Sequence, residues 1–145
     1  MKHLQSLVKM KEDYAKRITK EGKQALSNEL ADFFKENPKI VGVKWNQYTP
    51  YFNDGEECVF RFNEYSLKFK LQGADEEAGE DGDGWFGEYD TELKTNKLES
   101  VRNKLAKQLE SAKDILKEVF GDHQEITILI ENGNVKVETE DYDHD

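Results

Sequence analysis

The chain has 145 residues, the usual size of one domain with a single core, and its sixteen aromatic residues distinguish it from a disordered chain. Its formal net charge is −10, but the acids are concentrated. Residues 73–92 contain nine acids and no base, and residues 131–145 contain six acids and one lysine, so the rest of the chain is mildly basic. Direct binding to nucleic acid is not expected, because neutralising phosphates requires clustered lysine and arginine.

The sequence lacks the signals of a membrane or secreted protein. No apolar run approaches the roughly 20 residues that a membrane helix needs. Residues 1–11 contain three lysines spread among apolar residues, which is unlike a secretion signal. The single cysteine, Cys58, excludes an internal disulfide and a cysteine-only zinc site. We therefore expect one cytoplasmic domain over residues 1–145, with no membrane contact.

The first predicted element is a long amphipathic helix. Apolar residues recur at steps of three and four from Leu4 to Phe34, which places them on one helical face. Asn37-Pro38 ends the helix, because proline disfavours helical dihedral angles in the residue before it. Unbroken, the helix would extend roughly 50 Å, which exceeds the width of such a domain. We expect a break at Gly22; the alternative is a protruding helix that forms a homodimer instead of a monomer.

Three strands are predicted next, as an antiparallel meander. Residues 41–45 alternate in polarity, and Pro50 ends this strand or places it at an edge because proline lacks a backbone N–H. Asn53-Asp54-Gly55 predicts a tight turn into a second strand over residues 58–62. The alternation of residues 67–71 indicates a third strand.

The second half of the chain begins with an acid-rich segment, residues 73–84, which predicts a flexible loop because it has almost no apolar content. A second amphipathic helix begins between Thr91 and Lys97 and ends at Phe120.

A hairpin around Asn132-Gly133 and an acidic tail over residues 139–145 complete the chain. The order of elements favours an α+β fold, with an antiparallel sheet of about five strands covered on one face by two long amphipathic helices.

Enzymatic chemistry has little support in the sequence. The motifs of serine hydrolases, phosphate loops, zinc proteases and dinucleotide-binding folds are missing, and two of the three histidines lie near the termini. We expect no catalytic residues and no cofactor. The alternatives are a metal-dependent hydrolase that uses Asp54, Glu56 or Glu57, and a protein that binds a nucleotide or another small ligand.

The acidic loop contains three candidate metal ligands. Glu80, Asp81 and Asp83 lie among glycines that would let carboxylates converge on a hard cation. The spacing does not match a calcium-binding EF-hand loop, so a solvated loop is the preferred interpretation.

The most distinctive stretch is residues 43–60. Its pattern W-x-Q-Y-T-P-Y-F-N-D-G-x-x-C resembles a motif of small uncharacterised proteins from bacteriophages and bacteria. The resemblance implies a phage or prophage setting, and hence the cytoplasm of a bacterial host, but no activity. One interpretation is purely structural: the motif builds a hairpin in which Trp45, Phe52 and Phe60 pack beneath the helices.

The functional interpretation is that Tyr48, Tyr51 and Trp45 stay partly exposed and act as rigid anchors for a partner. With Asp54 and Trp85, they form the set of candidate interaction residues. We therefore expect a non-enzymatic, phage-derived protein that binds a bacterial protein, with the acidic loop steering association. A stronger version is an inhibitor of a defence or DNA-handling enzyme whose acids imitate nucleic acid.

Overall fold

A computed structural model of the protein describes residues 1–51, 55 and 57–143. In chain order the elements are α1 (Lys2–Glu36), β1 (Ile40–Tyr48), β2 (Arg61–Phe62), a 3₁₀ turn (Glu64–Ser66), β3 (Lys68–Leu71), α2 (Thr91–Thr95), α3 (Glu99–Ser111), α4 (Lys113–Phe120), β4 (Gln124–Glu131) and β5 (Asn134–Asp141). The predicted α+β class with five antiparallel strands is confirmed. Within the described residues, no helix combines the length and the apolar composition that crossing a membrane requires.

β1 is the centre of the sheet, whose strand order is β2-β1-β4-β5. Strand β3 pairs with the first part of β1 and strand β2 pairs with its last two residues, Gln47 and Tyr48. Both short strands therefore lie along the same edge of β1 and do not follow each other in a meander, so the predicted connectivity is wrong. Because β1 has nine residues, it is long enough to pair with both.

α1 runs without interruption through Gly22, so the predicted break is wrong. A Cβ atom at Gly22 would lie 2.8 Å from Val119 Cγ2 and 3.2 Å from Ile115 Cγ2, both on α4. Glycine is therefore the point of close approach between α1 and α4, and this packing outweighs the roughly 1 kcal/mol that glycine costs inside a helix. Residues 1–14 are exposed throughout, and we call them the overhang.

The second predicted helix is divided into three. Lys97, with a positive φ of 58°, separates α2 from α3. Ala112, with φ −104° and ψ 14°, separates α3 from α4. These interruptions turn successive parts of the segment onto the sheet, so that Leu105, Leu109 and Leu116 are all buried in one core.

The two faces of the sheet have different coverings. On one face, which we call the helix face, Val43, Trp45 and Gln47 of β1 are fully buried beneath the helices. On the other, the outer face, the alternate residues Lys44 and Asn46 are half-buried. The purely structural interpretation of Trp45 is thus confirmed.

The acidic tail begins later than expected. β5 continues through Asp141 and pairs with β4 along its whole length, from Asn134 opposite Glu131 to Asp141 opposite Gln124. Residues 139–141 therefore belong to the sheet, and the prediction of a tail over all of 139–145 is wrong for these three.

Candidate functional site

The acid-rich loop crosses the outer face of the sheet. Trp85 is half-buried there, with its ring centroid 4.6 Å from Lys44 Nζ. A Cβ atom on Gly42 would lie only 2.9 Å from the Trp85 ring and 2.8 Å from Leu129. Because Gly42 has no side chain, the indole of Trp85 packs directly against the sheet at this position.

Two lysines of the sheet hold the loop by its carboxylates. Lys44 on β1 lies 3.7 Å from Asp83, and Lys68 on β3 forms a short hydrogen bond to Asp81. Burial by itself would lower the pKa of Lys68, but the hydrogen bond to Asp81 and the charges of Asp81, Asp83 and Asp90 raise it overall. The same hydrogen bond and charge lower the pKa of Asp81. Both groups are therefore charged at neutral pH.

A buried carboxylate fixes the ends of this loop. Asp90 Oδ1 accepts a hydrogen bond from the Glu80 amide at 2.6 Å, and its Oδ2 accepts one from the Gly87 amide at 2.6 Å. Phe86, which is fully buried, forms an antiparallel bridge with Phe69 of β3. These contacts give the loop a defined path from residue 80 to residue 90.

Polar side chains form the floor beside this loop. The backbone N–H of Asn46 donates to Ser66 Oγ at 2.9 Å, and Asn63 Nδ2 donates to Asn46 Oδ1 at 3.0 Å. Arg102 on α3 is buried and donates to the carbonyl oxygens of Leu67 and Glu64. These hydrogen bonds hold the 3₁₀ turn against α3.

The surroundings of Arg102 also lower the pKa of its guanidinium group. Burial lowers the pKa of Arg102, while the nearby charges of Glu88 and Glu64 act in the opposite direction.

Together these elements enclose a cleft of about 470 Å³, which we call the outer cleft. Tyr65, from the 3₁₀ turn, is 68% exposed at its edge, and Tyr89, from the end of the loop, is 79% exposed. The charged lining residues are two lysines and six acids: Lys44, Lys68, Glu80, Asp81, Asp83, Glu88, Asp90 and Glu125. The outer cleft is therefore concave, acidic and flanked by two exposed tyrosines.

The structure separates the candidate interaction residues that the sequence grouped. Trp45 is fully buried, and its indole N–H donates to Gln47 Oε1 at 3.1 Å, so the prediction that it stays partly exposed is wrong. The physical reason is that Trp45 lies on the helix face of β1. Trp85 lies on the outer face beside the outer cleft, against Lys44.

Tyr48 and Tyr51 belong to a second aromatic group at the far end of β1, which we call the strand-end cluster. The Tyr48 and Tyr142 rings are 5.8 Å apart, and Tyr51 stacks on His123 at 4.7 Å. Tyr51 Oη also donates to Asp143 Oδ1 at 3.2 Å. Burial, followed by the neighbouring Tyr48 and Glu125, raises the pKa of Tyr142. This cluster connects the end of β1, the start of β4 and the end of β5, which lie side by side at one end of the sheet.

Asp122 connects the same cluster to β1. Its carboxylate accepts hydrogen bonds from the Thr49 amide at 2.7 Å and the Thr49 hydroxyl at 2.6 Å. Burial would raise the pKa of Asp122, but these hydrogen bonds and those with His123 lower it overall.

Asp54 and Glu56 lie outside the residues that the structure describes. Of the three acids weighed as metal ligands, Asp81 and Asp83 face lysines, and the Glu80 amide is bound to Asp90. Within the described part of the chain, no group of three or more histidine, cysteine, aspartate or glutamate side chains is placed to hold a metal ion.

Sequence analysis missed Tyr65 and Tyr89. Both interrupt a polar stretch, in Asn63-Glu64-Tyr65-Ser66 and in Glu88-Tyr89-Asp90, instead of occupying the apolar positions of a strand or helix. A tyrosine outside the apolar periodicity has no core position to occupy, and this was the signal that could have identified them.

No known family model, curated protein or solved structure matches the chain. The resemblance of residues 43–60 to small phage and bacterial proteins therefore stays a prediction, and the function has to be argued from the geometry of the outer cleft.

Proposed function

We propose that this protein is a non-enzymatic binding protein whose outer cleft takes a basic segment of a partner protein. The observation that carries the proposal is the combination of two exposed tyrosines with a concave lining of six acids and two lysines. Lys44 and Lys68 are already paired with acids of the loop, so the remaining carboxylates give the cleft its negative potential.

The chemistry of this lining matches arginine better than other side chains. A guanidinium group binds carboxylates through two parallel hydrogen bonds and also stacks on aromatic faces. Tyr65 and Tyr89 offer such faces, and tyrosine is enriched among the residues that contribute most to binding at interfaces. The concentrated negative charge would also speed association with a basic partner.

The setting of the partner comes from the sequence. The resemblance of residues 43–60 to bacteriophage proteins makes a bacterial protein the expected partner, and a defence or DNA-handling enzyme would carry a suitable basic surface. Imitation of a whole nucleic-acid backbone is less well supported, because Lys68 and Lys44 neutralise Asp81 and Asp83. We therefore favour recognition of a short basic segment.

Nuclear magnetic resonance titration can locate the binding surface, because Tyr65 and Tyr89 line the outer cleft and Tyr51 of the strand-end cluster does not. A nonapeptide of arginine is expected to shift the backbone amide resonances of Tyr65 and Tyr89 and to leave that of Tyr51 unchanged. The effect should weaken with salt, which screens charges beyond a few ångströms at 1 M. A nonapeptide of glutamate is the control, and ATP tests the small-ligand alternative. A response of Tyr65 and Tyr89 to ATP but not to the arginine peptide would contradict the proposal.

Capture from a bacterial lysate, followed by mapping of the bound segment with synthetic peptides, tests the biological partner. Replacing both cleft tyrosines, Tyr65→Ser and Tyr89→Ser, is expected to weaken binding of the mapped segment at least about tenfold. Tyr51→Ser, which alters an exposed tyrosine of the strand-end cluster, is the matched control and should bind normally. A mapped segment without basic residues, or loss of binding in the Tyr51 variant alone, would refute the assignment to the outer cleft.

A further inference from the structure

An apolar groove of about 450 Å³ lies between α1 and the pair α3 and α4, and it shares no lining residue with the outer cleft. From α1 it is lined by Ile18, Gly22, Ala25, Leu26 and Leu30. The other wall is formed by α3 and α4, where Ile115 is 46% exposed. The groove is independent of the proposed function.

The overhang presents an apolar stripe that has no cover within the described chain. Five apolar side chains of the overhang are between 54% and 64% exposed: Leu4, Leu7, Val8, Met10 and Tyr14. Leu4, Leu7, Val8 and Tyr14 fall on the same face of α1 as the residues that line the groove, because the three- and four-residue spacing continues unbroken from Leu4 to Leu30. One helical face thus forms both an exposed ridge and a wall of the groove.

We propose that two copies of this chain form a dimer in which the overhang of each α1 lies antiparallel in the apolar groove of the other. Ridge and groove agree in length. The overhang spans roughly 20 Å at 1.5 Å per residue, and the groove from Ile18 to Leu30 spans roughly 18 Å. A two-fold axis that crosses α1 between the overhang and the groove-lining segment places the overhang of each copy in the groove of the other.

The sequence of α1 is self-complementary in this orientation. An antiparallel pairing that sets Leu7 opposite Leu26 of the second copy also sets Val8 opposite Ala25 and Ala15 opposite Ile18. In the same register Lys11, the basic residue within the ridge, lies opposite Gly22 of the second copy.

The charges at the groove agree with this register. The charged residues that line the groove are both acidic, Glu21 and Glu29. Lys11 would lie within one turn of Glu21 of the second copy. This pair occurs twice in the dimer because of the two-fold symmetry.

The apolar area is sufficient for a stable dimer. The four exposed side chains on the groove side of the overhang offer on the order of 100 Å² each, and with the groove walls the buried area approaches the roughly 800 Å² per partner of a standard interface. An exposed apolar surface of this size is unusual on a monomer.

Light scattering coupled to size-exclusion chromatography tests the dimer. The chain is expected to elute with twice its mass of 16.9 kDa at about 100 μM. Leu7→Glu, in the ridge, is expected to yield a 16.9 kDa monomer with an unchanged circular dichroism spectrum. Lys9→Gln, on the opposite side of α1, removes one positive charge and should remain a dimer. A monomeric unmodified chain would overturn the proposal and would leave the groove to a different protein.

Disulfide cross-linking tests the antiparallel register. In a Cys58→Ser background, the double variant Val8→Cys, Ala25→Cys is expected to form a covalent dimer on mild oxidation. These positions are roughly 26 Å apart along one helix, so they cannot react within a chain. Each single variant is the control, because like positions are equally far apart in the antiparallel pair. Cross-linking of Val8→Cys alone, or none in the double variant, would overturn the register.

Discussion

The two faces of the sheet satisfy their polar groups in different ways. On the helix face, Gln47 Oε1 accepts from Trp45, and Gln47 Nε2 donates to the carbonyls of Leu116 at 3.0 Å and Gly121 at 2.8 Å. On the outer face, Lys44 and Lys68 pair with acids of a loop that is partly exposed. Because these ion pairs are partly exposed, the outer face could exchange them for contacts with a partner. One strand, β1, therefore contributes to the core on one side and, in the proposed function, to the binding cleft on the other.

The largest expected contrast is between the two tryptophans. Trp45→Ala empties a fully buried site and is expected to lower the free energy of unfolding by about 4 kcal/mol. Trp85→Ala removes a half-buried ring from the outer face and should cost about 1 kcal/mol. Urea unfolding followed by circular dichroism measures both. Equal losses would show that the outer face is as much a part of the core as the helix face.

A smaller effect is expected from the polar group of the helix face. Gln47→Leu keeps the volume but leaves the Trp45 indole N–H and two carbonyl oxygens without their partner, which is expected to cost about 2 to 3 kcal/mol. Gln72→Leu changes an exposed glutamine and is the matched control. Thermal unfolding of the two variants provides the comparison, and similar melting temperatures would argue against a structural role for Gln47.

The smallest effect on stability is expected on the outer face. Asp81→Asn breaks the pair with Lys68, and the loss of stability should be slight because exposed ion pairs contribute little. It should vanish at 1 M salt, where the screening length is roughly 3 Å. Melting temperatures at low and high salt measure this difference, and a loss that persists at high salt would contradict it.

The same pair predicts a dependence on pH. Because Lys68 lowers the pKa of Asp81, the stabilisation is present above roughly pH 4 and is lost as the pH falls through the lowered pKa. The pKa of Lys68 is raised overall, so the stabilisation is also lost as the pH rises through that value. The difference in melting temperature between the unmodified chain and Asp81→Asn should disappear at both extremes.

Much of the fold could be predicted from local sequence. The stripe from Leu4 to Phe34 predicted the first helix and Asn37-Pro38 its end, the alternation of residues 67–71 predicted a strand, and Asn132-Gly133 predicted the last hairpin. These signals are local because each depends on residues within one or two turns, or on neighbours along one strand. The pairing of β2 and β3 could not be predicted from local sequence, because it depends on which edge of β1 each strand reaches.

The outer cleft could be predicted only in part. Concentrated acid over residues 73–92 and the aromatic Trp85 were visible in the sequence, but their partners were not. Lys44 and Arg102 are separated along the chain by at least 35 residues from the acid and carbonyl groups that they contact, and Lys68 is 13 residues from Asp81. The exposure of Tyr65 and Tyr89 likewise depends on the packing of the turn and loop that carry them.

The sequence by itself determined the class of fold, the unequal distribution of charge and the amphipathic character of α1. Only the tertiary structure decided that Gly22 is a helix contact and not a break, that Trp45 is buried while Trp85 lies on the outer face, and that the acidic loop crosses the sheet. The spacing of apolar residues along the sequence shows which side of a helix or strand is apolar. Which neighbour covers that side depends on contacts between residues far apart in the chain, and no local pattern contains them.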